Sequence, residues 1–176
     1  MNYLGQQPVR SPNEPGPDFD RLHAVRRCDI LDTSPEPAFD ELTFLAAQIC
    51  HAPIALVAIV DETRCWFKSK LGLTFDEVQN DFALCTHTLF GHDVFAIADA
   101  LDDTRFASDT LVSGDSKIRF YAGCPLVLHG YRIGTICVID MKSRAFTEED
   151  RQLLKDLARL AEQELALTES VSAAAL

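Results

Sequence analysis

The 176-residue chain has no run of apolar residues approaching the ~20 needed to cross a bilayer, and no basic start leading into an apolar stretch at its N-terminus. A soluble, cytoplasmic protein with no membrane partner is expected. Positive charge is scarce as well: 16 Lys and Arg against 27 Asp and Glu give a formal net charge of −11. Such a chain repels phosphate backbones and anionic lipid unless basic residues cluster. No cluster is present in the sequence, so nucleic acid is not an expected partner. Cys-x-x-Cys is missing too. The six cysteines, at 28, 50, 65, 85, 124 and 137, have neither zinc-ligand spacing nor a secretory context, which leaves reduced thiols as the expectation. Cys50, Cys124 and Cys137 lie in apolar runs, where free cysteine packs as a small hydrophobe. Asp99, Asp102 and Asp103 lack the ligand order of a calcium loop and read as a solvated turn, so no metal site is expected.

What the chain does have is 47% hydrophobic residues, enough to fill one core. Residues 1–17 carry Pro8, Pro12, Pro15 and Pro17 among polar residues and read as a disordered tail. Residues 18–168 read as one domain and 169–176 as a flexible C-terminal tail. Phe19, Leu22 and Val25 form a helical stripe that should stop near Thr33-Ser34-Pro35. Phe39, Leu42, Leu45, Ala46 and Ile49 form a second. Ile54 to Val60 is β-branched and strand-like, and a second strand is expected at about Cys65 to Lys70. A short helix over Asp81–Phe90 and a short strand over Val94–Ala98 precede polar loops at 99–117. Thr147 followed by Glu148, Glu149 and Asp150 caps a final helix expected to reach about Leu167. In that helix Leu153, Leu157, Leu160 and Leu167 follow a 4-3-7 spacing beside a stripe of Leu154, Ala158, Ala161 and Leu165. One stripe suits the sheet and the other suits a second copy in a parallel homodimer.

The stretch Ile118 to Asp140, IRFYAGCPLVLHGYRIGTICVID, holds two apolar runs around His129-Gly130-Tyr131 and reads as a β-hairpin with a central second strand. Within it, Arg-Phe-Tyr-Ala-Gly-x-Pro-Leu spans Arg119 to Leu126, and Gly-x-x-Ile-Gly-x-x-Cys-x-x-Asp spans Gly130 to Asp140. Upstream stand Leu31-Asp32-Thr33, Phe39-Asp40, Trp66-Phe67-Lys68-Ser69 with Gly72-Leu73, Cys85-x-His87 and Asp103-x-Arg105-Phe106-Ala107. In these motifs, over about Arg21 to Leu165, the chain resembles the bacterial sensory branch of the GAF domain family. The resemblance implies an α+β fold: an antiparallel β-sheet with the terminal helices on one face and pocket-covering helices and loops on the other.

The resemblance further implies a non-enzymatic sensory domain that binds a small molecule between the sheet and the Asp81–Ser116 segment. Its candidate pocket residues are Trp66, Phe82, Cys85, His87, Arg119, Tyr121 and Cys137, with Arg119 expected to clamp a loop. No cofactor is indicated. The composition after Leu167 is rich in Ser, Thr and Ala, so output is expected through a partner such as a kinase or a cyclic-di-nucleotide enzyme. Asn80-Asp81 stands where the family usually has an arginine, which argues against an anionic ligand. Three other readings are open. One is a dimerisation scaffold whose pocket is filled by Phe82, Phe90, Phe120 and Tyr121. Another is a free methionine sulfoxide reductase-like thiol enzyme using Cys85 and Cys124. The third is bilin attachment at Cys85-Thr86-His87, although the Asp-Ile-Pro segment of that branch is missing. Helical geometry sets Cys85 and His87 roughly 200° apart, so they should not share one ligand.

Overall fold

Side-chain alternation along the central strands builds two cores on one sheet. The computed structural model describes residues 17–79, 83–91 and 93–175. Its elements are α1 (Pro17–Cys28), α2 (Pro37–Ile49), β1 (Ile54–Val60), β2 (Arg64–Leu71), β3 (Glu77–Gln79), α3 (Ala83–Phe90), β4 (Phe95–Ile97), α4 (Thr110–Ser113), β5 (Phe120–Leu128), β6 (Tyr131–Asp140) and α5 (Glu148–Ala174). The six strands are antiparallel neighbours in the order β3-β2-β1-β6-β5-β4. β1 is buried along its whole length. Its Ala55, Val57 and Ile59 face a core shared with α1, α2 and α5, while Ile54, Leu56, Ala58 and Val60 face a second core under α3 and the α4 loop. The fold is the α+β arrangement expected, with terminal helices on one face only.

Two bulges adjust this alternation. The β1–β2 register passes from Val57↔Ser69 to Ala58↔Phe67, so Lys68 is the extra residue. Trp66, Lys68 and Ser69 consequently point to the helix-covered face, and Phe67 to the other. The β5–β6 register likewise passes from Leu126↔Gly134 to Val127↔Arg132, leaving Ile133 unpaired and turned into the helix-side core. Glu162 on α5 accepts the Val127 N–H at 2.8 Å beside this bulge. The hairpin turn has His129 at φ 51° and Gly130 at φ 83°, the two left-handed residues of a tight primed turn, so Tyr131 belongs to β6 rather than to the loop. His129 Nε2 and Glu169 of α5 approach to 2.5 Å.

Several boundaries differ from expectation. α1 ends at Cys28 because Asp29 and Asp32 take left-handed conformations (φ 49° and 59°), which aspartate tolerates and a helix does not continue through. β3 is a short strand between the second strand and the short helix expected from the sequence, and α4 is a short helix inside the polar loops expected at 99–117. The helix expected to close near Leu167 continues to Ala174, because the alanine-rich end holds no breaker and Glu169 is tied to Arg27 and His129; the segment 169–176 expected to be flexible is thus helical to Ala174. Its start is as expected. Thr147 Oγ1 accepts from the Asp150 N–H, and the Asp150 carboxylate accepts from the Thr147 N–H. The tail expected over 1–17 lies outside the described residues apart from Pro17. No helix among the described residues is long and apolar enough to cross a membrane.

Candidate functional site

The face of the sheet away from α5 carries a cavity of about 180 Å³. Alternate residues of the central strands make its floor: Ile54 and Leu56 from β1, Phe67 from β2 and Ile139 from β6, all buried. Leu111 from α4 and Ile118 close one side, and Leu73 and Val78 the other. Phe75 and Met141, 40% and 44% exposed, stand at the mouth. Among the described residues of the lining, Ser116 is the one polar side chain and none is charged. The cavity can therefore hold an apolar body, with one hydroxyl at its edge.

None of the described candidate pocket residues, Trp66, Cys85, His87, Arg119, Tyr121 and Cys137, lines this cavity. Three of them, Cys85, Tyr121 and Cys137, meet beside it in a packed polar nest under α3. Cys85 is 1% exposed and sits on the inward side of α3. Tyr121 Oη donates to Cys85 Sγ at 3.7 Å and shares a 2.9 Å hydrogen bond with Thr88 Oγ1. Thr135 Oγ1 donates to the same sulfur at 3.9 Å. The thiols of Cys137 and Cys65 belong to the same buried cluster. With donors from Cys137, Cys65, Tyr121 and Thr135 converging on it, the Cys85 thiol is held well below its ordinary value even though burial pushes the other way. Its bond partners respond in the opposite sense: Cys137 and Cys65 are raised by donating to Cys85 and by burial. Tyr121 is raised first by burial and then by the neighbouring sulfur charge. Gly123 makes the nest possible. A Cβ there would lie 2.4 Å from Tyr121 Oη, so the phenol crosses the strand where no side chain stands.

The remaining residues are dispersed. His87 points outward from α3, as helical geometry requires, and packs against Phe95 and Phe106 with Arg105 Nη1 3.4 Å away. Arg105 is itself held by both carboxylate oxygens of Asp103, which lowers the Asp103 carboxyl to about 2. Arg119 donates through Nη1 to Val112 O and Ile118 O, both at 2.9 Å, and so fastens the α4 loop to β5. Trp66 lies on the helix-covered face. Phe82 lies outside the described residues. Of the other side chains expected to fill a pocket, Phe120 belongs to the helix-side core and Phe90 is exposed.

All six cysteines are free and buried. Cys124 also faces the helix-side core, so the sheet separates it from Cys85 and the thiol pair considered for enzymatic reduction does not assemble. Burial pushes the Cys124 thiol up to about 12. Among the described residues, no group of three or more His, Cys, Asp or Glu is arranged to hold a metal ion. The cavity lining carries no motif of its own because its members, Ser116 apart, are ordinary apolar residues. The usable signal was the i, i+2 alternation of Ile54 and Leu56 in β1, matched by Ile139 in β6.

Residues 34–165 match the family model of the GAF domain. A cyclic di-GMP phosphodiesterase of Pseudomonas aeruginosa is 34% identical over 154 residues, covering 86% of this chain and 26% of its own length. The chain thus spans about a quarter of that relative. Among solved structures, the GAF domain of an Acinetobacter phosphoenolpyruvate-protein phosphotransferase superposes with a TM-score of 0.64 at 16% identity, over 88% of this chain and 95% of that one. A free methionine-R-sulfoxide reductase from Neisseria meningitidis, in complex with its substrate, superposes with a TM-score of 0.64 at 14% identity, over 85% and 89%. At these identities the two structures speak for the fold alone.

Proposed function

The chain belongs to the GAF family, and from that premise we propose that it is a regulatory domain of a signalling protein that binds a small apolar molecule in the cavity beneath α4. The single observation carrying this reading is the apolar cavity of about 180 Å³ floored by Ile54, Leu56, Phe67 and Ile139, with no charged side chain among the described residues of its lining. An apolar cavity of roughly 150 Å³ stays dry and accepts benzene, so this one suits a molecule of about that size. A cyclic dinucleotide does not fit. Its volume and its two phosphates call for more space and for cations that the lining does not offer. The likeness to a cyclic di-GMP phosphodiesterase is therefore read as kinship with a regulatory portion of such a protein, the cyclic-di-nucleotide enzyme being the signalling partner or the rest of the chain.

Output runs through α5. β1 and β6 carry the cavity on one face and the helix-side core on the other, so a ligand that favours one packing of these strands biases the helices behind them. Leu153, Leu160 and Leu167 recur at seven-residue intervals on the outer face of α5, the last two 49% and 60% exposed, and this stripe supports a parallel homodimer. Leu157, by contrast, turns inward with Leu154, Ala158, Ala161 and Leu165.

Thermal unfolding in saturating benzene tests the cavity. The midpoint should rise by about 2–4 °C, corresponding to roughly 1 kcal/mol of binding linkage, and Leu111→Trp, which fills the space, should remove the rise. An unchanged midpoint in the wild-type chain would sink the reading. Native mass spectrometry of freshly purified protein would then weigh any molecule retained from the cell.

A further inference from the structure

The polar nest under α3 has a composition that packing alone does not call for. Six side chains that donate or accept hydrogen bonds, Cys65, Cys85, Thr88, Tyr121, Thr135 and Cys137, are buried together on a sheet face otherwise built of aliphatic and aromatic groups. Their polarity has a direction. Thr88 bonds Tyr121, and Tyr121 and Thr135 both donate to Cys85 Sγ, with the Cys137 and Cys65 thiols in the same buried cluster. Donors aimed at one sulfur stabilise negative charge on it, as they do on any thiolate. Gly123 in the middle of β5 is what lets the phenol reach it. The second reactant is also in place, since α3 packs directly on β6, the strand that carries Cys137.

We propose that Cys85 is a redox-active thiol which a hydroperoxide oxidises and Cys137 captures as a disulfide, tying α3 to β6. Cys85 Sγ attacks one oxygen of hydrogen peroxide; the O–O bond breaks, hydroxide leaves and takes up a proton as water, and the sulfur becomes a sulfenic acid. The Cys137 thiol then attacks that sulfur. An S–S bond forms, the S–O bond breaks, and the hydroxyl departs with the thiol proton as a second water. Two thiols are oxidised by two electrons and one peroxide is reduced to two waters. Hydrogen peroxide is little larger than water and reaches the sulfur during local opening of α3, an eight-residue helix. The linked Cys137 lies two residues from Ile139 on the same strand face, so the disulfide fixes the strand that floors the cavity.

The experiment treats the reduced full-length chain with hydrogen peroxide in native buffer, alkylates the remaining thiols in denaturant and maps the peptides. The expected result is loss of two of the six thiols and a Cys85–Cys137 cross-linked peptide. In Cys137→Ser the reaction should stop at a Cys85 sulfenate that dimedone traps. Tyr121→Phe, which removes one hydroxyl and little volume, should slow the loss of Cys85 thiol about tenfold, the effect of one hydrogen bond to a charged acceptor. Cys124→Ser should change nothing. Six intact thiols under conditions that oxidise free cysteine, a cross-link through Cys65 in place of Cys137, or a pair that forms only in unfolding urea would each overturn the proposal.

Discussion

Gly123 and Asp103 are two residues whose roles can be measured singly. A methyl at position 123 would meet Tyr121 Oη at 2.4 Å and Cζ at 2.9 Å inside a closed core, so the phenol has to move. Gly123→Ala is expected to lower unfolding free energy by about 1–3 kcal/mol in urea titration, the range for overpacking. Tyr121→Phe in the same chain should return part of the loss by removing the nearest atom, a coupling that a double-mutant cycle reads directly. Asp103 is depressed to about 2 by the Arg105 hydrogen bonds. A depressed carboxyl contributes stability that is complete above its unfolded value, near 3.8, and is lost as pH falls through about 2. Carboxyl carbon NMR should find Asp103 titrating near 2, and Arg105→Gln should move it toward 3.8. Among the residues, Arg119 as a loop clamp and the divergence of Cys85 and His87 were legible from motif and helical geometry. The nest was not, because three thiols spread over positions 65, 85 and 137 meet only through strand register and the docking of α3.

At the scale of elements, the Trp66-Phe67-Lys68-Ser69 motif is explained by the bulge in β2. The extra residue sends Lys68, whose side chain is fully buried, into the connection between α1 and α2, where Nζ donates to Thr33 Oγ1, Ser34 O and Glu36 Oε1 at 2.7–2.8 Å. Ser69 beside it bonds Thr43 and Asp40 of α2. Three of the motifs read from the sequence thus converge on one joint between sheet and helices. Glu36→Ala should cost about 2 kcal/mol, because a buried ammonium is left with only two neutral acceptors. Lys68→Met should cost less, about 1 kcal/mol, since the carboxylate it strands is 35% exposed and can be hydrated. Equal losses in denaturant unfolding would mean that the charge plays no part. Strands β1 and β6 were legible from their β-branched runs, and β5 from the apolar run that precedes the hairpin turn. Neither bulge was, since a bulge leaves the composition of a strand unchanged and alters only which residues oppose each other.

For the whole molecule, the decisive quantity is whether α5 is shared between two copies. Leu160→Glu on its outer face should leave the fold intact and convert a dimer to a monomer in light scattering, while Leu165→Glu, directed into the core, should unfold the chain. A net charge of −11 on each copy also predicts that association tightens as salt is raised from low concentration. An unaltered mass for Leu160→Glu would remove α5 as the interface. The layer order was legible because helical and strand periodicities are strong in this chain. The reach of α5 to Ala174 was not, because the ties that hold its last turns come from Arg27 and His129, far away in sequence.

Those ties make the β5–β6 hairpin a handle on the helix. Glu162 grips the bulged backbone at Val127, and seven residues further along the same helix Glu169 grips the turn at His129. Two grips two helical turns apart prevent α5 from rolling about its axis independently of the hairpin. A tilt of β6 would be converted into rotation of the whole rod, and the farther the rod extends past Ala174 in a longer protein, the larger the sweep of its tip for the same small tilt.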